Sequence, residues 1–122
     1  DAFAEDWIRQ IRADVPDAPI LVTAGGLFHY FEESKVVGLL RMLTGFGEIE
    51  IVFDTVSKSG MAMMRKKYMK QVGHGDAQMF FYVDSASVLA GKIGSGVRVL
   101  STKISMAVSD RFGMVKLIRI SL

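Results

Sequence analysis

Two short apolar runs, Ile20–Ala24 (ILVTA) and residues 48–54 (EIEIVFD), flank a segment, residues 32–43, in which Val36, Val37, Leu40 and Leu43 recur at helical spacing. Two strands joined by about a dozen helical residues form a right-handed βαβ unit, because a right-twisted strand followed by a right-handed helix returns to the sheet in only one hand. This arrangement predicts a parallel pair and an α/β fold. The first run is bounded by Pro19 and by Gly25–Gly26 and is continuously apolar, which predicts a strand buried on both faces. The second alternates at Glu48 and Glu50 and finishes apolar before Asp54, so only its first end is predicted wet.

The other elements follow from the same periods. Residues 4–15 form a helical pattern with Trp7, Ile8 and Ile11 on one stripe and Arg9, Arg12 and Asp14 outside it; Pro16 and Pro19 end it. Glu32 and Glu33 open the next helix, where the macrodipole favours acids, and Gly45 and Gly47 close it. Residues 61–72 are amphipathic, with Met61, Met64 or Arg65, Tyr68 and Val72 opposite Lys66, Lys67 and Lys70, and Gly73 stands where a C′ glycine belongs. HGDAQ, residues 74–78, is a loop, and residues 79–83 are a strand or irregular backbone. Asp84 or Ser85 caps a short helix through Ile93 that buries Val88, Leu89 and Ile93, and Gly94 and Gly96 follow. Residues 97–108 and 114–122 are two long strands joined by SDRFG, most simply an antiparallel hairpin. The sum is a mixed α/β sheet in a single domain, 1–122, since 122 residues, half of them hydrophobic, bury one core but not two.

Composition narrows the partners. The formal charge is +2, with 15 basic residues scattered among 13 acids, so no basic face for nucleic acid is expected. The chain has no cysteine, which rules out disulfides, thiolate metal sites and a cysteine nucleophile. No apolar run reaches the roughly 18 residues of a membrane helix, so no membrane partner and a cytoplasmic location are expected. Asp1 is not a Met and leads directly into a helical pattern, so the sequence reads as a piece of something longer.

In α/β sheets, ligands bind beyond the carboxyl ends of the parallel strands. Gly25 and Gly26 lie at one such end and residues 54–57 at the next. Glycines let a ligand approach the backbone, and His29 and Tyr30 offer polar tips at the rim. Against this, the glycine pair also suits a tight turn, Asp54 a loop-initiating acid, and His29 a rim histidine; His74 is the only other histidine, so no metal is expected, and no catalytic residue is singled out.

Taken together, Trp7 after an acidic pair, PILVTAGGLFHYFEESKVVGLLRML, EIEIVFDTVSKSGM and KKYMKQVGHGDAQMFFYVD resemble the carboxyl-terminal half of the leucine carboxyl methyltransferase family, which includes the polyketide O-methyltransferases. The resemblance spans nearly the whole chain, in order. It implies a Rossmann-like class I methyltransferase sheet of order 3-2-1-4-5-7-6, in which Ile20–Ala24 is strand four, residues 48–54 strand five and the final hairpin strands six and seven. It implies S-adenosylmethionine as cofactor, bordered at its methionine end by Gly25 and Gly26, and a small-molecule hydroxyl or carboxylate acceptor near His29 and Tyr30. Many members carry an acid where this chain has Gly25. Nothing matches the glycine-rich loop after strand one or the ribose-binding acid after strand two. The chain is therefore expected to be inactive alone.

Two readings from other classes compete with this one. A receiver-like domain would use Asp54 as phosphoacceptor, but no acidic pair follows a first strand and the chain ends in a hairpin rather than a helix. The other is a non-catalytic α/β binding or oligomerisation module. In the strand order that the methyltransferase resemblance implies, strand four without strands one to three is an edge; Ile20–Ala24 carries no charge and no proline within it, which predicts a homo-oligomer through that edge.

Overall fold

The computed structural model describes residues 1–72, 79–105 and 115–122. Helix α1, Asp6–Asp14, leads to strand β1, Ile20–Ala24; a 3-10 turn at Phe28–Tyr30 precedes helix α2, Glu33–Leu43, and another at Thr44–Phe46 precedes strand β2, Ile49–Val56. Helices α3, Lys58–Val72, and α4, Ala86–Ile93, come before strands β3, Arg98–Ser105, and β4, Val115–Ser121. The sheet order is β1-β2-β4-β3. β1 is parallel to β2, with Ile20 opposite Ile49 and Ala24 opposite Phe53. β4 is antiparallel to both β2 and β3. The βαβ unit and the terminal hairpin are thus as the sequence predicts, in the order 4-5-7-6 that the resemblance implies. Gly73, the loop 74–78 and SDRFG lie outside the described residues.

One face of the sheet is covered. Ile49, Ile51, Phe53, Ile118 and Ile120 meet Ile8 of α1, Val36, Leu40 and Leu43 of α2, and Leu89 and Ile93 of α4 in a single core. Each large apolar side chain enclosed there contributes about 1.5–3 kcal/mol. The opposite face is largely open among the described residues, with Val56 enclosed at one end by Met61 and Met79: Leu21 is 57% exposed and Leu117 42%. Strand β1 is therefore not buried on both faces as its composition predicts. No described element lies over Leu21 and Thr23, so the strand alternates half-buried and exposed.

Three helices differ from expectation in detail. In α1 Ile8 is enclosed but Ile11 is 40% exposed, while Arg12, placed outside by the pattern, turns inward. Its Nε donates to Phe46 O (2.6 Å) and its terminal nitrogens to Val15 O, Pro16 O, Ala18 O and Glu48 O at 2.6–3.4 Å. The second turn of α1 is thus held by a guanidinium rather than by a hydrophobe. Helix α3 begins three residues earlier than predicted because two acceptors cap it: Gly60 N–H donates to Ser57 Oγ at 3.1 Å, and Lys58 N–H to Asp84 Oδ1 at 2.9 Å. Met61 is buried with Val56 and Met79; the side chains of Met64, Tyr68 and Val72 lie outside the described residues. In α4, Ser85 is the cap, accepting from Val88 N–H. The buried stripe runs through Leu89, Ala90 and Ile93, so Val88, a third of a turn away, is 58% exposed rather than buried.

Residues 79–83 form no strand. Their backbone is irregular but tied down: Phe80 and Phe81 N–H donate to His29 O at 2.6 and 3.3 Å, and Val83 N–H to Val56 O at 2.8 Å. Lys116 Nζ donates to Val83 O (3.2 Å) and Asp84 O (3.3 Å). No helix among the described residues is long and apolar enough to cross a membrane.

Candidate functional site

The parallel register decides what meets at the sheet's carboxyl edge. Ala24 stands opposite Phe53, so the next residue of each strand, Gly25 and Asp54, are neighbours. β2 does not stop at Asp54; it runs to Val56 because Asp54, Thr55 and Val56 pair with Leu117, Lys116 and Val115 of β4. After Gly25 the chain turns through Gly26 at φ 62°, a conformation costly for any residue with a Cβ.

Asp54 gathers the turn. Its Oδ1 accepts the Gly26 N–H at 2.8 Å, and its Oδ2 lies 3.7 Å from His29 Nε2, beyond a hydrogen bond but within electrostatic reach. His29 is only 6% exposed, and its Nδ1 is buried with no hydrogen-bond partner among the described residues. The neighbouring Phe28 fixes its position, the Phe28 ring lying 5.2 Å from that of Phe53 and 6.1 Å, edge-on, from that of Phe81. Tyr30 points outward, 43% exposed, its ring 6.0 Å from the imidazole.

Two hollows of about 330 Å3 flank this edge. One opens on the bare face, lined by Thr23, Ala24, Gly25, Val52, Asp54 and Leu117 among others. The other lies between the start of α2, the 79–85 segment and α4, lined by Glu33, Phe80, Tyr82, Val88 and Lys92 among others. Among the described residues, a Cβ built on Gly25 or Gly26 would meet nothing within 4 Å beyond its chain neighbours, so the turn faces open space.

The structure thus brings Gly25, Gly26 and His29 together and sets Tyr30 apart at the surface. The residue joining them, Asp54, reads from sequence as a loop-initiating acid. The signal was there: an acid after a valine and a phenylalanine at the carboxyl end of a strand is costly unless its carboxylate has a partner.

No family model matches the chain, and no curated protein does. Solved structures do. An S-adenosylmethionine-dependent methyltransferase from Anabaena variabilis superposes with a TM-score of 0.62 at 14% identity, over 99% of this chain and 56% of that one. The chain has part of a methyltransferase fold. A DUF574 family protein from Streptomyces avermitilis superposes equally well (TM-score 0.62, 12% identity, 99% and 52% covered). The magnesium protoporphyrin IX methyltransferase of Synechocystis, solved with bound SAH, gives 0.54 at 12% identity over 83% and 43%. The chain therefore spans about half the length of these structures. A methyltransferase fold of this extent accounts for the 4-5-7-6 order and for the bare sheet face.

Proposed function

We propose that this chain is the carboxyl-terminal part of an S-adenosylmethionine-dependent O-methyltransferase of the leucine carboxyl methyltransferase type, acting on the hydroxyl or carboxylate of a small molecule in the cytoplasm. The reading is carried by one observation: in a sheet of methyltransferase order, the strand-four turn is two glycines facing open space. The residues present fit the methionine end of the cofactor there, because the backbone at Gly25 and Gly26 is accessible. The rest of the shell, the glycine loop and the ribose acid, has no counterpart in these 122 residues, so they are inactive alone. When bound, the cofactor supplies a methyl group on a sulfonium. The chain's own residues orient the reactants, since an in-line transfer depends chiefly on alignment. The exposed Tyr30 hydroxyl meets the acceptor, with the buried His29 ring beside it.

Calorimetry tests this. The full gene product is expected to bind S-adenosylmethionine at micromolar Kd, whereas the 122-residue chain binds far more weakly. Gly25→Val weakens binding about tenfold with little change in melting temperature, because its side chain enters space free of protein and fills the ligand's place. Absence of cofactor binding by the full product refutes the reading, and micromolar binding by the 122 residues refutes their incompleteness.

We further propose that this 122-residue chain self-associates through β1. In a parallel pair alternate residues bond inward; Ile20 N–H donates to Glu48 O, so the amides and carbonyls of Leu21 and Thr23 face outward. Antiparallel pairing of two such edges satisfies them symmetrically. Sedimentation is expected to show a dimer or larger assembly, and Leu21→Lys a shift toward monomer. A wild-type monomer of 13.5 kDa would refute it.

A further inference from the structure

Two adjacent glycines are the least restrained backbone a chain can have, since neither side chain packs and both lose the most freedom on ordering. Among the described residues, apart from the turn's own chain neighbours, no atom lies within 4 Å of where a Cβ of Gly25 or Gly26 would be. The side-chain contact that holds the turn among the described residues is the Asp54 carboxylate on the Gly26 N–H. Asp54 itself sits inside a strand, opposite Leu117, where aspartate is disfavoured. Its side chain is only 26% exposed, and its second oxygen faces a buried histidine. An ionised carboxylate accepting a backbone amide is a charge-assisted bond, among the stronger kinds.

We propose that Asp54 is a positioning residue: it locks the Gly25–Gly26 turn in the shape that receives the cofactor's methionine end, and through Oδ2 it ties that turn to His29 on the acceptor side. The inference rests on the methyltransferase reading for the identity of the ligand, not for the ordering of the turn. Cofactor side and acceptor side then share one anchor on β2. The buried imidazole, with no partner for Nδ1 among the described residues, faces this carboxylate at 3.7 Å, and the Phe80 and Phe81 amides hold its backbone carbonyl.

The test compares wild type, Asp54→Asn and Asp54→Ala in the full gene product, read by calorimetry with S-adenosylhomocysteine, by thermal melting and by the Gly26 amide in proton–nitrogen spectra. Asp54→Asn keeps an acceptor oxygen and is expected to hold the Gly26 amide shift and to bind within about threefold of wild type. Asp54→Ala is expected to move that amide upfield, speed its hydrogen exchange and weaken binding about tenfold or more, with a smaller change in melting temperature than in affinity. An unmoved Gly26 amide in Asp54→Ala overturns the proposal. So does an affinity loss shared equally by the Asn and Ala variants and matched by their loss of stability. If wild type binds no S-adenosylhomocysteine, the cofactor reading fails, and the amide shifts still decide whether Asp54 sets the turn.

Discussion

Phe28→Ala is expected to lower the folding free energy by about 3–5 kcal/mol, the usual cost of removing an enclosed aromatic ring. Phe28 is 1% exposed and lies in a three-ring group with Phe53 of β2 and Phe81 of the irregular 79–83 segment, centroids 5.2–6.4 Å apart. Three pieces of chain far apart in sequence meet there: the turn before α2, the central strand and the return from α3. Removing the middle ring opens a cavity that neither neighbour can fill, since both are themselves packed on other sides. Urea unfolding measures the effect. Phe80→Ala, at a ring 37% exposed, is the comparison and is expected to cost about 1 kcal/mol or less. A Phe28→Ala loss no greater than that of Phe80→Ala would show that the rings do not pin the turn to the sheet.

Arg12→Ala is expected to cost about 2–3 kcal/mol, the second largest effect. Five carbonyls from Val15, Pro16, Ala18, Phe46 and Glu48 converge on one guanidinium. These residues close the turn after α1 and the turn before β2, so the side chain staples the entries of both parallel strands. Water replaces it at the exposed carbonyls but not at those facing inward, which is why the expected loss is well below the sum of five charged bonds. Arg12→Lys should recover less than half, because a compact ammonium lacks the planar fork that reaches several acceptors at once. Arg9→Ala, removing an exposed pair with Glu5, should cost about 0.5 kcal/mol or less. Equal melting temperatures for Arg12→Ala and Arg9→Ala would refute the staple.

Sequence periodicity carried the order and type of the elements where one face dominates the spacing: Val36, Leu40 and Leu43 on α2, or Ile49, Ile51 and Phe53 on β2, are all enclosed. It carried less where a residue's partner is distant in sequence. Arg12 reads as solvent-facing because its acceptors lie up to 36 residues away and are backbone atoms, which leave no mark in the sequence. ILVTA reads as two-sided because composition reports what a strand tolerates, not what covers it. That Gly25, Gly26 and His29 come together at one strand end follows from the βαβ pattern. The contact of Asp54 with Gly26 does not, since it depends on the register that sets Asp54 beside Gly25, and register is a property of the folded pair.

The meeting of Val83 N–H with Val56 O has a consequence for how such a chain can diversify. The chain leaves the sheet at Val56, passes through α3, Lys58–Val72, and is back at the same point at Val83. A detour closed in this way is modular. Lengthening it costs little, each doubling of a flexible loop adding only about 0.6 kcal/mol, so long as Phe80 and Phe81 stay, since Phe81 packs in the core and both amides hold the His29 carbonyl. Related chains of this fold can therefore differ in this excursion while the sheet and the Asp54–Gly26 contact stay the same.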